Sequence, residues 1–154
     1  MLLIAAGASA QEGKRLYNKY SDSEGVSAVY ISPAMFNLIG KIPEVEVEAG
    51  DGENLDLAPL IRSFSGFYML DVSNQTLASE LYKEVTTFIS RGNYELLMEV
   101  KDSGENLRMY TAGDSNTVES FVFIANDGIE TQLICIDGTM NRSDLESLIA
   151  KAID

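Results

Sequence analysis

From Tyr94 to Asp137 the apolar residues recur with a period of two, and no other feature limits the possible folds as strongly. Tyr94, Leu96, Met98 and Val100 alternate with Glu95, Glu99 and Lys101, after which Asp102-Ser103-Gly104 turns the chain. Residues 107–111 return, Asp114-Ser115-Asn116 turns it again, and 118–125 form a third run. Asn126-Asp127-Gly128 is a strong hairpin signal leading into 129–137. Consecutive strands joined by tight turns pair antiparallel, because parallel neighbours need a crossover of about a dozen residues. The C-terminal part is therefore expected to be a four-strand meander.

The rest of the chain supplies helices to cover it. Residues 12–21 read as a short helix with Leu16, Tyr17 and Tyr20 on one face, and 26–31 (VSAVYI) as a first strand. Ser32-Pro33 opens a helix carrying Met35, Phe36, Leu38 and Ile39. A further helix is expected from a cap at Asp56, with Leu57, Leu60, Ile61 and Phe64; Gly66 then introduces a strand over 67–72. The strongest helix is capped by Asn74, carries Leu77, Leu81, Val85 and Phe88, and ends at Arg91-Gly92-Asn93. The last helix is capped at Ser143, with Glu146 completing a capping box and Leu145, Leu148, Ile149 and Ala152 facing inward. Residues 11–154 thus read as one α+β domain, a mainly antiparallel sheet with helices packed mostly on one face.

Composition narrows the chemistry. The chain has no His, so a Ser-His-Asp triad, a Cys-His dyad and a His-ligated metal are all excluded. One Cys makes no internal disulfide, zinc site or iron–sulfur cluster. Acidic residues number 24 against 11 basic, a formal charge of −13, which argues against a nucleic-acid surface. No segment approaches the ~20 apolar residues of a membrane span.

Residues 1–10, MLLIAAGASA, are apolar and end in Ala8-Ser9-Ala10, the small-x-small pattern of a signal-peptidase site. They read as the remnant of a secretory signal, with the mature chain starting at Gln11 and lying in the periplasm or outside the cell. No Cys follows the apolar run, so a lipid anchor is not expected.

The segments KRLYNKYSDSEGVSAVYISPAMFNLIG, SFSGFYMLDV, YELLMEVKDSGENLRMYT and LICIDGTMNRSDLESLI resemble domain-of-unknown-function family 4252, in content and in order. The resemblance implies a small exported or lipid-anchored envelope protein of Bacteroidetes-type bacteria with an α+β fold. It implies no activity, and no catalytic motif is carried over. Family context also suggests an accessory of an envelope signalling system, a role that needs binding and not catalysis. Gln11 stands where lipid-anchored members have an acylated Cys.

The candidate sites are few. Glu44, Glu46, Glu48, Asp51, Glu53 and Asp56 crowd one connection, but an EF-hand frame set on Asp51 puts Arg62 where the bidentate Glu belongs. The stretch reads as a solvated acidic loop, or as a short edge strand with Glu44, Glu46 and Glu48 outward. No metal or cofactor is expected. Cys135, between Ile134 and Ile136, reads as a buried, inert thiol. Met35, Met69, Met98 and Met109 read as core filler, or more sharply as a Met-rich partner groove. The Gly residues at element boundaries, Gly25, Gly66, Gly92, Gly104, Gly128 and Gly138, are expected at positive φ.

Two functions from different classes remain. The first is a non-catalytic envelope module that binds a protein, or a second copy of itself, through a sheet surface. The alternative is a small carboxylate-dependent hydrolase, for which Asp71 and Asp137 are the first positions to inspect; strand-end Asp residues are otherwise turn or cap residues. The binding reading rests on 121–124, where Phe121 and Phe123 alternate with Val122 and Ile124, so that both sides of one strand are apolar. Phe121 and Phe123 are the candidate partner contact. A blander reading places the N-terminal helix over that second face.

Overall fold

The computed structural model describes residues 6–39, 46–48, 54–56, 63–114 and 116–153. Helix α1 spans Ala6–Tyr20, β1 Val26–Ile31, α2 Pro33–Ile39, β2 Glu46–Glu48, β3 Asn54–Asp56 and β4 Phe64–Val72. Helix α3 spans Gln75–Arg91, β5 Tyr94–Asp102, β6 Glu105–Gly113, β7 Thr117–Asn126, β8 Thr131–Asn141 and α4 Arg142–Ile153.

The period-two stretch forms the expected meander, β5 to β8, every neighbour antiparallel. At the β5–β6 turn Ser103 and Gly104 both have positive φ (50° and 89°), as a two-residue hairpin matching the strand twist demands. The sheet does not stop at β8. Strand β4 pairs antiparallel with β8, and β1 with β4, giving one six-stranded sheet in the order β1-β4-β8-β7-β6-β5. A separate hairpin pairs β2 with β3.

Helices α1 and α3 lie side by side on one face of this sheet. Leu16 and Tyr20 of α1 join Ala78, Leu81, Val85 and Phe88 of α3 against Leu70, Val72, Val122, Ile124, Leu133 and Cys135. Gly13 lets α1 approach closely, since a Cβ there would come within 2.9 Å of the Cys135 Cβ. Asn74 caps α3 by accepting from the N–H groups of Thr76 and Leu77 at 3.0 and 3.1 Å. Thr131 donates its hydroxyl to the Ala78 carbonyl at 2.9 Å, fixing α3 to β8. The reading that put the N-terminal helix over the second face is therefore corrected.

Other expectations are corrected too. The first helix begins at Ala6, and its backbone runs unbroken through Ala10-Gln11. Asp56 ends β3 and Phe64 begins β4, so neither belongs to the expected helix; Leu57, Leu60 and Ile61 lie outside the described residues. Of the acidic connection, Glu46, Glu48 and Asp56 fall in the β2–β3 hairpin, while Glu44, Asp51 and Glu53 lie outside the described residues. Asn141, not Ser143, caps α4, accepting from the Ser143 N–H at 2.9 Å. The side chains of Leu145, Leu148, Ile149 and Ala152 lie outside the described residues. Positive φ occurs at Gly25, Gly104, Gly113 and Gly128, but not at Gly66, Gly92 or Gly138. Gly138 is needed for another reason: a Cβ there would run into the Ser63 carbonyl.

Candidate functional site

Strand register sorts the apolar side chains into two sets. On the face under α1 and α3, Val122 and Ile124 are 1% and 3% exposed. On the other face, register aligns Val29, Met69, Ile134, Phe123, Met109 and Met98 in one row across all the strands. The row below it runs Ile31, Phe67, Ile136, Phe121 and Thr111, and the row above includes Ala125, Leu107 and Val100. Phe121 and Phe123 thus lie side by side on the face away from the two helices, half-buried by their neighbours. At the β5 edge this face is more open, with Met98 44% and Val100 of the row above 46% exposed.

The methionines correct the core-filler reading. None of Met35, Met69, Met98 and Met109 enters the helix-side core, and three of the four stand in the second-face row. The sequence carries a signal for an apolar second face, though not for these methionines' place on it. In β7 the residues flanking Val122 and Ile124 (Phe121, Phe123 and Ala125), and in β8 those flanking Cys135 (Ile134 and Ile136), are themselves apolar, which an exposed sheet face does not require.

One end of the second face is roofed. Phe36 of α2 packs edge-on against Phe64, ring centroids 5.4 Å apart. Beside it Phe64, Val118, Phe121, Ile136, Gly138 and Met140 line an apolar pocket of about 150 Å³. A larger groove, about 750 Å³, opens on the helix side between α1, the C-terminal half of α3 and the β6–β7 turn. Its wall mixes Arg15, Lys83 and Arg91 with Glu12, Glu84, Asp114 and Glu119, so it presents no single charge to a ligand.

The strongest polar cluster is structural. Glu84 of α3 accepts from Lys19 at 3.0 Å, from Arg15 at 3.1 Å and from the Tyr20 hydroxyl, stapling α1 to α3. Burial works against its charge, but the three donors prevail and hold the Glu84 carboxyl below its ordinary value. The Tyr20 hydroxyl is pushed up in turn, by burial and then by Glu84.

The two carboxylates singled out for hydrolysis do not converge. Asp137 is on the helix side, 5% exposed, and accepts a long 3.4 Å hydrogen bond from Ser120. Burial raises its carboxyl to about 7. Asp71 stands on the second face, opposite Gln132. Neither is a turn or cap residue: both lie within strands. Cys135 is buried, and burial pushes its thiol up, which removes thiolate reactivity. Among the described residues no three acidic or Cys side chains are placed to hold a metal ion. Nor is any described helix long and apolar enough to cross a membrane.

A six-stranded antiparallel sheet with two helices stapled over one face, and an apolar second face roofed at one end, defines the molecule as an α+β sheet protein. The chain belongs to the family described as Domain of unknown function (DUF4252), whose model matches residues 20–148. That span holds the whole sheet, α3 and the second face. No curated protein and no solved structure matches the chain.

Proposed function

We propose that this chain is a non-catalytic exported envelope protein, a binding module whose contact surface is the second face of its sheet. The observation that carries this reading is the continuous row Val29, Met69, Ile134, Phe123, Met109 and Met98. A face of this kind is ordinarily covered by helices or by another molecule. Helices α1 and α3 are both committed to the opposite side and α2 roofs one end, so a partner is assigned to the remainder. Export fits the same picture. Cleavage after Ala10 keeps Gly13, Arg15, Leu16 and Tyr20, which hold α1 to the sheet and to α3.

The hydrolase alternative finds less support. Asp71 and Asp137 lie on opposite faces, and neither lines either of the two cavities. The test of the binding reading is capture from envelope extract, wild type against Phe121→Asp and Phe123→Asp. Loss of the captured partner with each variant, at unchanged far-UV circular dichroism, is the expected result; an unchanged capture profile contradicts the reading.

A further inference from the structure

The distribution of charge around the second face specifies the chemistry of what binds it; this step rests on that face being the contact surface. Among the described side chains, the cations other than Arg142 stand away from it. Lys14, Arg15 and Lys19 stand on α1 and Lys83 and Arg91 on α3, over the opposite face. Arg108 is opposite Ile124 in register, hence also on the helix side, and bonds Glu99 at 2.6 Å; Lys101 lies 4.0 Å from the same carboxylate. Arg142 is held at one corner by Glu95 at 3.5 Å and the Asp114 carbonyl at 3.3 Å.

The acids do the reverse. Along the margin of the second face farther from Arg142 stand two pairs of carboxylates with no described cation beside them. Glu130 lies against Asp71, and that neighbour holds the Glu130 carboxyl above its ordinary value. Asp102 and Glu105 stand directly opposite each other where β5 meets β6. Like charges in a directly opposed cross-strand pair cost stability. Both pairs flank the same apolar row, and both are relieved by a bound cation.

We propose that the occupant of the second face is a cationic amphipathic polypeptide segment, its apolar side on the Met69–Phe123–Met109 row and its Lys or Arg side chains on the two carboxylate pairs. The pairs are three strand intervals apart, about 14 Å at ordinary strand spacing. A helix laid across the strands spans that in about ten residues, which sets the spacing of its cations. A second copy of this chain fits poorly, because it brings one acidic margin against another on a molecule that carries −13 overall.

The experiment measures binding of a labelled Leu-, Ala- and Lys-containing helical peptide, with Lys pairs about ten residues apart, against its Glu-for-Lys counterpart. The full chain is compared with Asp71→Asn/Glu130→Gln, with Asp102→Asn/Glu105→Gln, and with the apolar-edge variant Met98→Ser/Val100→Ser, whose exposed positions bear little of the fold. Glu80→Gln/Asp22→Asn, away from the face, is the charge control. The expected result is about tenfold preference for the Lys peptide at moderate salt. Each margin variant and the apolar-edge variant should weaken it several-fold, with the control unaffected. Equal binding of both peptides, lost in the apolar-edge variant, overturns the charge inference and leaves the surface reading standing. Lys-peptide binding that ignores the apolar-edge variant, or falls equally in the control, overturns both. Binding of neither peptide also overturns the inference; if the chain then sediments as a dimer that the apolar-edge variant dissociates, the occupant is a second copy.

Discussion

Val122 and Phe123 are consecutive residues whose side chains leave the sheet in opposite directions, Val122 into the core beneath α1 and α3, Phe123 into the row between Ile134 and Met109. The same divergence repeats at Phe121 against Val122 and at Ile134 against Leu133 and Cys135. A strand apolar on both sides belongs in the middle of a layered structure. Here one layer is built from the chain's own helices, and the proposed partner forms the other.

Asp137 makes the protein's stability depend on pH in an unusual direction. Its carboxyl titrates near 7 when folded, against an ordinary value of 3.8. The folded state therefore holds a proton that the unfolded state has released, and stability from this group falls as pH rises from about 4 to about 7. Ionising it in place costs up to ~4 kcal/mol. Asp137→Asn should raise the melting temperature by several degrees at pH 7 and leave it unchanged near pH 4, as scanning calorimetry across that range can check. A parallel offset at every pH would show that the carboxyl stays ionised in the fold.

Glu84 acts with the opposite sign. Its folded value is lowered, so its contribution is complete above about 4.5 and is lost as pH falls below that. Partly exposed ion pairs contribute little individually, and the hydrogen bond from Tyr20 is the foremost of the interactions that favour the carboxylate. Glu84→Gln should cost about 1–2 kcal/mol at pH 7, measured by denaturant unfolding. No loss would mean that apolar packing alone holds α1 to α3.

How far these features could be read from the sequence depended on range. The meander was legible because its period and its turns, such as Asp102-Ser103-Gly104, are local signals. Helix α3 was legible because Asn74 caps it and its stripe is regular. The placement of β4 beside β8 was not, since no local residue names the partner of Phe67 or Met69. The short β2–β3 hairpin was obscured by Glu46, Glu48 and Asp56, which favour solvent over pairing. Met69, Met98 and Met109 were readable as apolar but not as belonging to the second face, because β4, β5 and β6 had no fixed register until the whole sheet was assembled. Phe121 and Phe123 were separable from Val122 and Ile124 by alternation alone.

Cys135 should resist modification. It is packed against α1 at Gly13 and has its thiol pushed up by burial. A thiol reagent such as dithionitrobenzoate should label the native protein at the rate of unfolding and the denatured protein at once. Rapid stoichiometric labelling without denaturant would show that α1 lifts from the sheet.

Processing is tested separately from folding. Mass spectrometry of envelope fractions should recover a peptide beginning at Gln11, the residue after Ala8-Ser9-Ala10. Recovery of intact residues 1–10 on a cytosolic protein would contradict the export reading without touching the assignment of the second face.

The most direct test of the second face compares the melting temperatures of Ile124→Asp and Phe123→Asp. Ile124 is 3% exposed beneath the helices, and the Arg108 opposite it is already bonded to Glu99, so Ile124→Asp should lose more than about 4 kcal/mol and fail to fold stably. Phe123→Asp places its charge on the open face, and should melt within a few degrees of wild type while losing partner binding. If Phe123→Asp unfolds the protein as fully as Ile124→Asp does, the second face is closed core and the binding account is wrong.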